Sequence, residues 1–178
     1  VARKWEALPP LPEPRSSHDV AVLGDRLYVV GGWSLQGALQ TWLTTTWVMD
    51  LTKSPLTWEP APATPFERRA IALAAVDGKL WALGGMPSDG DSGTKEVSVF
   101  DPATGAWSKG PDLPFNGFGV AAAVIGNDLL VSGIKSGVHR LGLYGDAPET
   151  EEVTSLAFPR YFHRLVATGP ERLLALGG

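Results

Sequence analysis

The sequence contains no cysteine, which removes disulfide frameworks, thiolate zinc sites and cysteine nucleophiles together. No apolar run is long: the stretch from Ala70 to Val76 falls well short of the roughly 18–20 residues that crossing a bilayer demands. The N-terminus lacks a basic-then-apolar signal pattern. A soluble chain without a membrane partner is expected, its compartment left open. Charge is also scarce, at 19% of residues, and 15 Lys+Arg against 19 Asp+Glu give a net charge of -4 with no basic stripe. Nothing would hold a polyphosphate backbone, so nucleic acid is excluded as a partner. Helical periodicity is absent throughout. What remains is a 178-residue chain, 44% apolar, with 21 glycines and 15 prolines. That is one core's worth of residues interrupted by far more turns than the combined ~12% of glycine and proline typical of globular proteins would make.

The chain repeats itself. Leu27-Tyr28-Val29-Val30-Gly31-Gly32 returns as Leu80-Trp81-Ala82-Leu83-Gly84-Gly85, then in degraded form as Leu129-Leu130-Val131-Ser132-Gly133-Ile134, and finally as Leu173-Leu174-Ala175-Leu176-Gly177-Gly178. The first glycines step by 53, 49 and 44. A tryptophan followed seven residues later by proline keeps the first two steps as Trp5…Pro12, Trp58…Pro65 and Trp107…Pro114. Two unrelated markers in phase signal a repeat architecture. Within each unit an apolar run meets a two-residue turn (Gly24-Asp25, Asp77-Gly78, Gly126-Asn127) and the run ending in Gly-Gly follows, which is a hairpin. An alternating stretch such as Glu96-Val97-Ser98-Val99-Phe100, the turn residues Asp101-Pro102-Ala103-Thr104-Gly105 and the Trp107 segment supply two further strands.

This layout resembles the kelch repeat, a four-stranded propeller blade with Gly-Gly after its second strand and a tryptophan opening its fourth. The resemblance spans the chain and implies an all-β, kelch-type β-propeller of about three full four-stranded blades plus parts of a divided blade. The expected partition of the single arc is 1–12 as the outer strand of a preceding blade, 13–65 and 66–114 as blades, 115–159 as a degenerate blade, and 160–178 as the first two strands of a further one. The structural motif comprises Gly31, Gly32, Gly84, Gly85, Gly133, Gly177 and Gly178, with Trp5, Trp58 and Trp107 expected as wedge-filling core. The third unit is expected to be least regular, because Ile134 replaces a glycine and Val153 the tryptophan. The chain opens on Val1 and stops after Gly178 with the divided blade lacking a strand. The expectation is therefore an incomplete propeller or fragment, completed by a longer chain or by a second copy.

In propellers of this kind ligands meet one mouth at the residue after Gly-Gly and at the loop leading into the next inner strand. Carried over, the first class is Trp33, Met86 and Lys135; the second is Arg15-Ser16, Arg68-Arg69, Asn116 to Phe118, and Arg160-Tyr161 with a one-residue ambiguity. Guanidinium forks pair with carboxylates and aromatic faces supply contact area, so this surface suits an acidic or amide-rich segment. Arg15 and Arg68 have a second reading, pairing with a neighbouring blade's acidic side chain. The function expected is a protein- or peptide-binding scaffold with no catalytic residue, cofactor or metal in this segment. The alternative is part of a sugar-acting enzyme resembling sialic-acid epimerases or galactose oxidases, in which Arg15, Arg68 and Tyr161 would hold a small sugar. The crosslinked Tyr–Cys pair of the copper-radical oxidases has no cysteine to form it here.

Other candidates carry less. Ser16, His18 and Asp19 have the residue types of a nucleophile system but alternate faces on entering a strand. His18, His139 and His163 are read as falling at different phases of the repeat, without a ligand pair. Asp89-Gly90-Asp91-Ser92-Gly93 opens like a calcium loop yet has Phe100 where the closing Glu belongs. Gly117-Phe118-Gly119-Val120-Ala121-Ala122 matches a dinucleotide fingerprint but precedes a strand instead of a helix. Glu149, Glu151 and Glu152 are read as a solvated loop.

Overall fold

A computed structural model describes residues 4–144 and 149–178 of the protein. Residues 1–3 of the expected first segment, and 145–148 within the expected third blade, lie outside the described residues. β1 (Asp19–Leu23) turns through Gly24-Asp25 into β2 (Arg26–Val30), with Gly24 at φ +58, a left-handed value that a tight hairpin needs and glycine accepts without steric cost. A hairpin of β3 (Trp33–Gln36) and β4 (Leu39–Trp42) precedes β5 (Thr46–Asp50) and β6 (Trp58–Ala61), and the first sheet runs β1-β2-β5-β6.

The second unit begins with β7 (Arg68–Arg69), then β8 (Ala72–Val76) and β9 (Lys79–Leu83). β10 (Met86–Pro87) pairs back on β7, and β11 (Val97–Asp101) and β12 (Ala106–Lys109) complete the sheet β8-β9-β11-β12. β13 (Ala121–Ile125), β14 (Asp128–Ser132), β15 (Gly137–Leu141) and β16 (Thr150–Ser155) form the third sheet, and β17 (His163–Gly169) with β18 (Arg172–Gly177) form a two-stranded fourth. All strand pairings among the described residues are antiparallel, and no helix long and apolar enough to cross a membrane occurs among them.

The sheets stand radially. β1 packs on β8, β8 on β13 and β13 on β17, so these inner strands, alanine-rich in β8 and β13, line a common axis where short side chains fit best. Larger residues fill the widening wedges. Tyr28 and Val30 meet Ile71, Leu73, Leu80 and Phe100 in the first wedge; Trp81 and Leu83 meet Val120, Leu129 and Val131 in the second; Ala123, Leu130 and Val138 meet Leu165 in the third. Each large side chain buried there contributes about 1.5–3 kcal/mol. The fold is an arc of a β-propeller.

Three expectations are corrected. Trp5 is not core: it is 99% exposed, and residues 4–15 form no strand, because among the described residues no strand lies beside them. Trp58 and Trp107 are half-buried at the outer wedge, where their indole N–H groups donate to Pro9 O (2.9 Å) and Pro62 O (3.2 Å) and tie each outer strand to the segment leading out of the blade before. Glu151 and Glu152 lie on β16 and not in a loop, Glu151 pairing with Arg140. The third sheet has its four strands but a bulge at Val138/His139, with Val153 exposed at the tryptophan's position.

Candidate functional site

Register fixes which loops share a face. Asp19 pairs with Val30 and Val29 with Trp47, so the segment entering β1, the glycine doublet and the β2–β5 connection converge at one end of the sheet. The Gly24 turn lies at the other. The same holds for the second sheet, and the convergent end is the mouth.

The glycine doublets hold that end together. Gly31 and Gly32 (φ +70 and +95), Gly84 and Gly85 (+57 and +101) and Gly177 and Gly178 (+73 and +95) all adopt left-handed backbone, and a Cβ on Gly85 would lie 2.6 Å from Ile71 Cγ2. Neither Gly133 nor Ile134 takes that conformation, so a branched side chain at the second position meets no left-handed backbone. The second glycine donates its N–H to the following sheet: Gly32 to Arg68 O (3.0 Å) and Gly85 to Gly117 O (2.8 Å). A further chain of bonds circles the axis, Ala70 N–H to Ser17 O (2.6 Å), Gly119 to Ala70 O (2.7 Å) and Phe162 to Gly119 O (2.7 Å), and all four residues have positive φ.

The in-phase arginines serve this frame. Arg15 Nη1 donates to Gly31 O (3.1 Å) and Thr45 O (2.9 Å), and its Nη2 bonds Glu13 (2.9 Å). Arg68 Nη1 donates to Gly84 O (2.8 Å) and Glu96 O (2.7 Å), with Nη2 to Ser98 Oγ (2.7 Å) and the guanidinium 3.8 Å from the centre of the Phe66 ring. Arg160 Nη1 donates to Gly177 O (2.6 Å). Each arginine caps the carbonyl of its own blade's first glycine. Arg68 is buried, and that burial pushes its pKa down to about 10 against the opposing pull of Glu96. Its place among ligand-facing residues is therefore corrected; Arg15 and Arg160 are engaged in the same holding role. The acidic pairing weighed for Arg15 exists with Glu13 of its own segment, whereas Arg68 holds carbonyls and a hydroxyl.

The mouth proper brings other predicted residues together. Arg69 lies with Cζ 4.8 Å from the centre of Trp33 and 5.4 Å from that of Trp42, and its Nη2 reaches Met86 Sδ at 3.0 Å. Trp33 and Trp42 face each other across the β3–β4 hairpin at 6.3 Å. Among the described residues no carboxylate pairs with Arg69, and Arg69 Nε and Trp33 Nε1 are buried without a partner. Across the arc Phe118, Tyr161 and Phe162 form an aromatic cluster with centroids 5.3–6.0 Å apart. Ser16 is exposed and exchanges backbone bonds with Trp33 (2.9 and 3.1 Å); Asn116 and Lys135 are exposed and enter neither cluster. A groove of about 290 Å³ runs between Pro14–Ser16 and the hairpin residues Trp33–Gln36.

Trp42 and Phe162 were not read from the sequence. The signal for Trp42 was its position opposite Trp33 about the Gly37 turn, and for Phe162 its phase with Ser17, Ala70 and Gly119.

The histidines need a correction. His18 and His163 share a phase: a Cβ on Gly32 would lie 3.0 Å from His18 Cβ, and one on Gly178 would lie 3.0 Å from His163 Cβ. Both line a cavity of about 140 Å³ at the axis beside Ser17, Phe162 and Arg164. Burial lowers the pKa of each, helped by Arg15 at His18 and by Arg160 and Arg164 at His163. His163 Nε2 bonds Ser132 Oγ at 2.6 Å, while His139 lies against Phe115 on the third sheet. Asp19 accepts from Leu73 N–H (2.8 Å) and pairs with Arg164 (3.1 Å); burial raises its pKa against the pull of these partners. Among the described residues no three His, Asp or Glu side chains gather as a metal site.

A family model described as Kelch motif matches residues 14–63 and 67–114. Kelch-like protein 33 of Homo sapiens is 36% identical over 132 residues, covering 73% of this chain and 24% of its own length. Kelch-like protein terF of Aspergillus terreus is 31% identical over 136 residues, 71% of this chain and 29% of that protein. Kelch repeat and BTB domain-containing protein 13 of Homo sapiens is 36% identical over 121 residues, 67% and 25% respectively. The chain thus spans about a quarter of the length of these curated relatives. The solved structure of YjhT aligns with a TM-score of 0.78 at 17% identity, over 94% of this chain and 60% of that one, a likeness of fold.

Proposed function

Because the chain belongs to the kelch-motif family, we propose that it is a recognition arc whose mouth captures a protein or peptide ligand through an acidic anchor seated on Arg69. The observation carrying this is the state of Arg69: a guanidinium held between two indoles, with, among the described residues, a thioether as its one side-chain acceptor and no carboxylate paired with it. Stacking fixes the plane of the fork without using its donors, which leaves a preorganised bidentate partner for a carboxylate. Trp33, Trp42 and Met86 supply apolar area around the charge, and the Phe118–Tyr161–Phe162 cluster offers a second contact for an aromatic or aliphatic side chain of the same ligand.

The test is capture of an immobilised Glu- and Asp-containing peptide library, beside the same peptides as amides and a panel of simple sugars. Acidic peptides should be retained, and Arg69→Ala should weaken them by about tenfold to a hundredfold, the range for losing a charged hydrogen bond worth ~1.5–3 kcal/mol. Trp33→Ala combined with Arg69→Ala should abolish capture while lowering the melting temperature by no more than the several degrees that a loss of ~1–2 kcal/mol brings. Equal retention of amide peptides, or preference for sugars, refutes the anchor.

A further inference from the structure

Arg69 and Met86 are directly opposed residues of the β7–β10 ladder, with Arg68 opposite Pro87 beside them. The register therefore brings one side chain against the other, and Arg69 Nη2 donates to Met86 Sδ at 3.0 Å. The indoles of Trp33 and Trp42, 4.8 and 5.4 Å from Arg69 Cζ, limit where the guanidinium can swing. A thioether sulfur is a weak acceptor. It steadies the fork and yields to a carboxylate at little cost.

Met86 follows the Gly84-Gly85 doublet, so it lies at the mouth, and it is half-buried. The chain has one other methionine, Met49 on β5, which is 0% exposed. A thioether that solvent reaches is open to oxidation, and one sealed in a core is shielded from it. The chain thus carries a single accessible sulfur, and that sulfur touches the cation on which the mouth's ligand is seated.

We propose that Met86 is a modification site, converted by a hydroperoxide to the sulfoxide, whose oxygen binds Arg69 and withdraws it from an acidic ligand. In the step the sulfur lone pair attacks the terminal peroxide oxygen as the O–O bond breaks, and the departing hydroxide or alkoxide takes the proton from the S–OH group formed. Sulfur gives up two electrons, the peroxide gains them, and the products are the sulfoxide and water or an alcohol. The new S=O oxygen is a strong acceptor on the atom at which Arg69 already aims a donor. A carboxylate would then have to displace a charge-assisted hydrogen bond instead of a contact to sulfur. The effect on capture rests on the anchor assigned to Arg69; the oxidation of Met86 and its bond to Arg69 do not.

Hydrogen peroxide at a limiting dose is the probe. Peptide mapping by mass spectrometry should show Met86 converted ahead of Met49, with Trp33 and Trp42 unmodified. The oxidised chain should retain the immobilised Glu- and Asp-containing peptides about tenfold less well, and methionine sulfoxide reductases of both epimer specificities should restore them. Met86→Leu, whatever its own affinity, should be indifferent to peroxide, and Met86→Gln, which sets a carbonyl oxygen near the same point, should be weakened without it. Phenylglyoxal labelling of Arg69, read in the same maps, should slow on oxidation, a readout that needs no ligand. Conversion of Met49 alongside Met86 would overturn the proposal, as would capture and Arg69 labelling that oxidation leaves unchanged, or a peroxide-dependent loss of capture that persists in Met86→Leu. Were the unoxidised chain to retain no acidic peptide while oxidation still slowed the labelling, the anchor would fall and the modification site would stand.

Discussion

Arg68→Met separates two adjacent arginines that the sequence presents as alike. The substitution keeps the length of the stem and removes the guanidinium, breaking bonds to Gly84 O, Glu96 O and Ser98 Oγ inside the second blade. At ~1.5–3 kcal/mol for each hydrogen bond from a charged donor, those bonds are worth about 5–9 kcal/mol together. Against them stands the cost of keeping the cation in a buried site, which lowers its pKa from 12.5 to about 10. At about 1.4 kcal/mol per pKa unit that cost is about 3 kcal/mol. The net loss expected is about 2–6 kcal/mol, a large share of the ~5–15 kcal/mol that holds a domain folded. Urea unfolding followed by tryptophan fluorescence measures it, as a lower midpoint with unchanged slope. Arg69→Met is the control, expected to lose no more than about 1–2 kcal/mol from two indole contacts at ~0.5–1 each. Should Arg68→Met shift stability by less than Arg69→Met does, the capping role derived for Arg15, Arg68 and Arg160 is wrong.

Gly85→Ala should destabilise by several kcal/mol, because φ is +101 and the new Cβ would lie 2.6 Å from Ile71 and 2.9 Å from Arg69 O; Gly24→Ala, with φ +58 but open space around it, should cost about 1–2 kcal/mol. Thermal melts of the two variants side by side check the difference. Ser132→Ala should cost about 1–3 kcal/mol by stranding His163 Nε2, measured by the same denaturation series. Burial holds the folded-state pKa of His163 below the ordinary imidazole range, so the unfolded chain binds the extra proton and stability falls as pH drops from neutrality through that range. His163→Gln should flatten this part of the stability–pH curve, with His18, shifted in the same direction, responsible for what slope remains.

What could be read from the sequence divides along a physical line. The glycine doublets and two-residue turns were legible because left-handed backbone at a crowded position leaves glycine almost alone as a solution, so the requirement is written in the residue type. The role of Arg15, Arg68 and Arg160 was not, because their shared partner is a backbone carbonyl, which has no letter of its own. Trp42 escaped because it becomes a neighbour of Trp33 only through the register of a hairpin about Gly37. The equivalence of His18 and His163 was hidden by one residue: β17 carries an irregularity between Ala167 and Gly169, so Arg160 stands 17 residues before its glycine where Arg15 and Arg68 stand 16 before theirs. The deeper limit is at Arg68 and Arg69. Side chains along extended backbone alternate in direction, so the first of these consecutive residues enters the wedge and the second enters the mouth. Chemistry alone gives them the same capacity to grip a carboxylate. It is the parity of their position that gives one to the frame and leaves the other for a ligand.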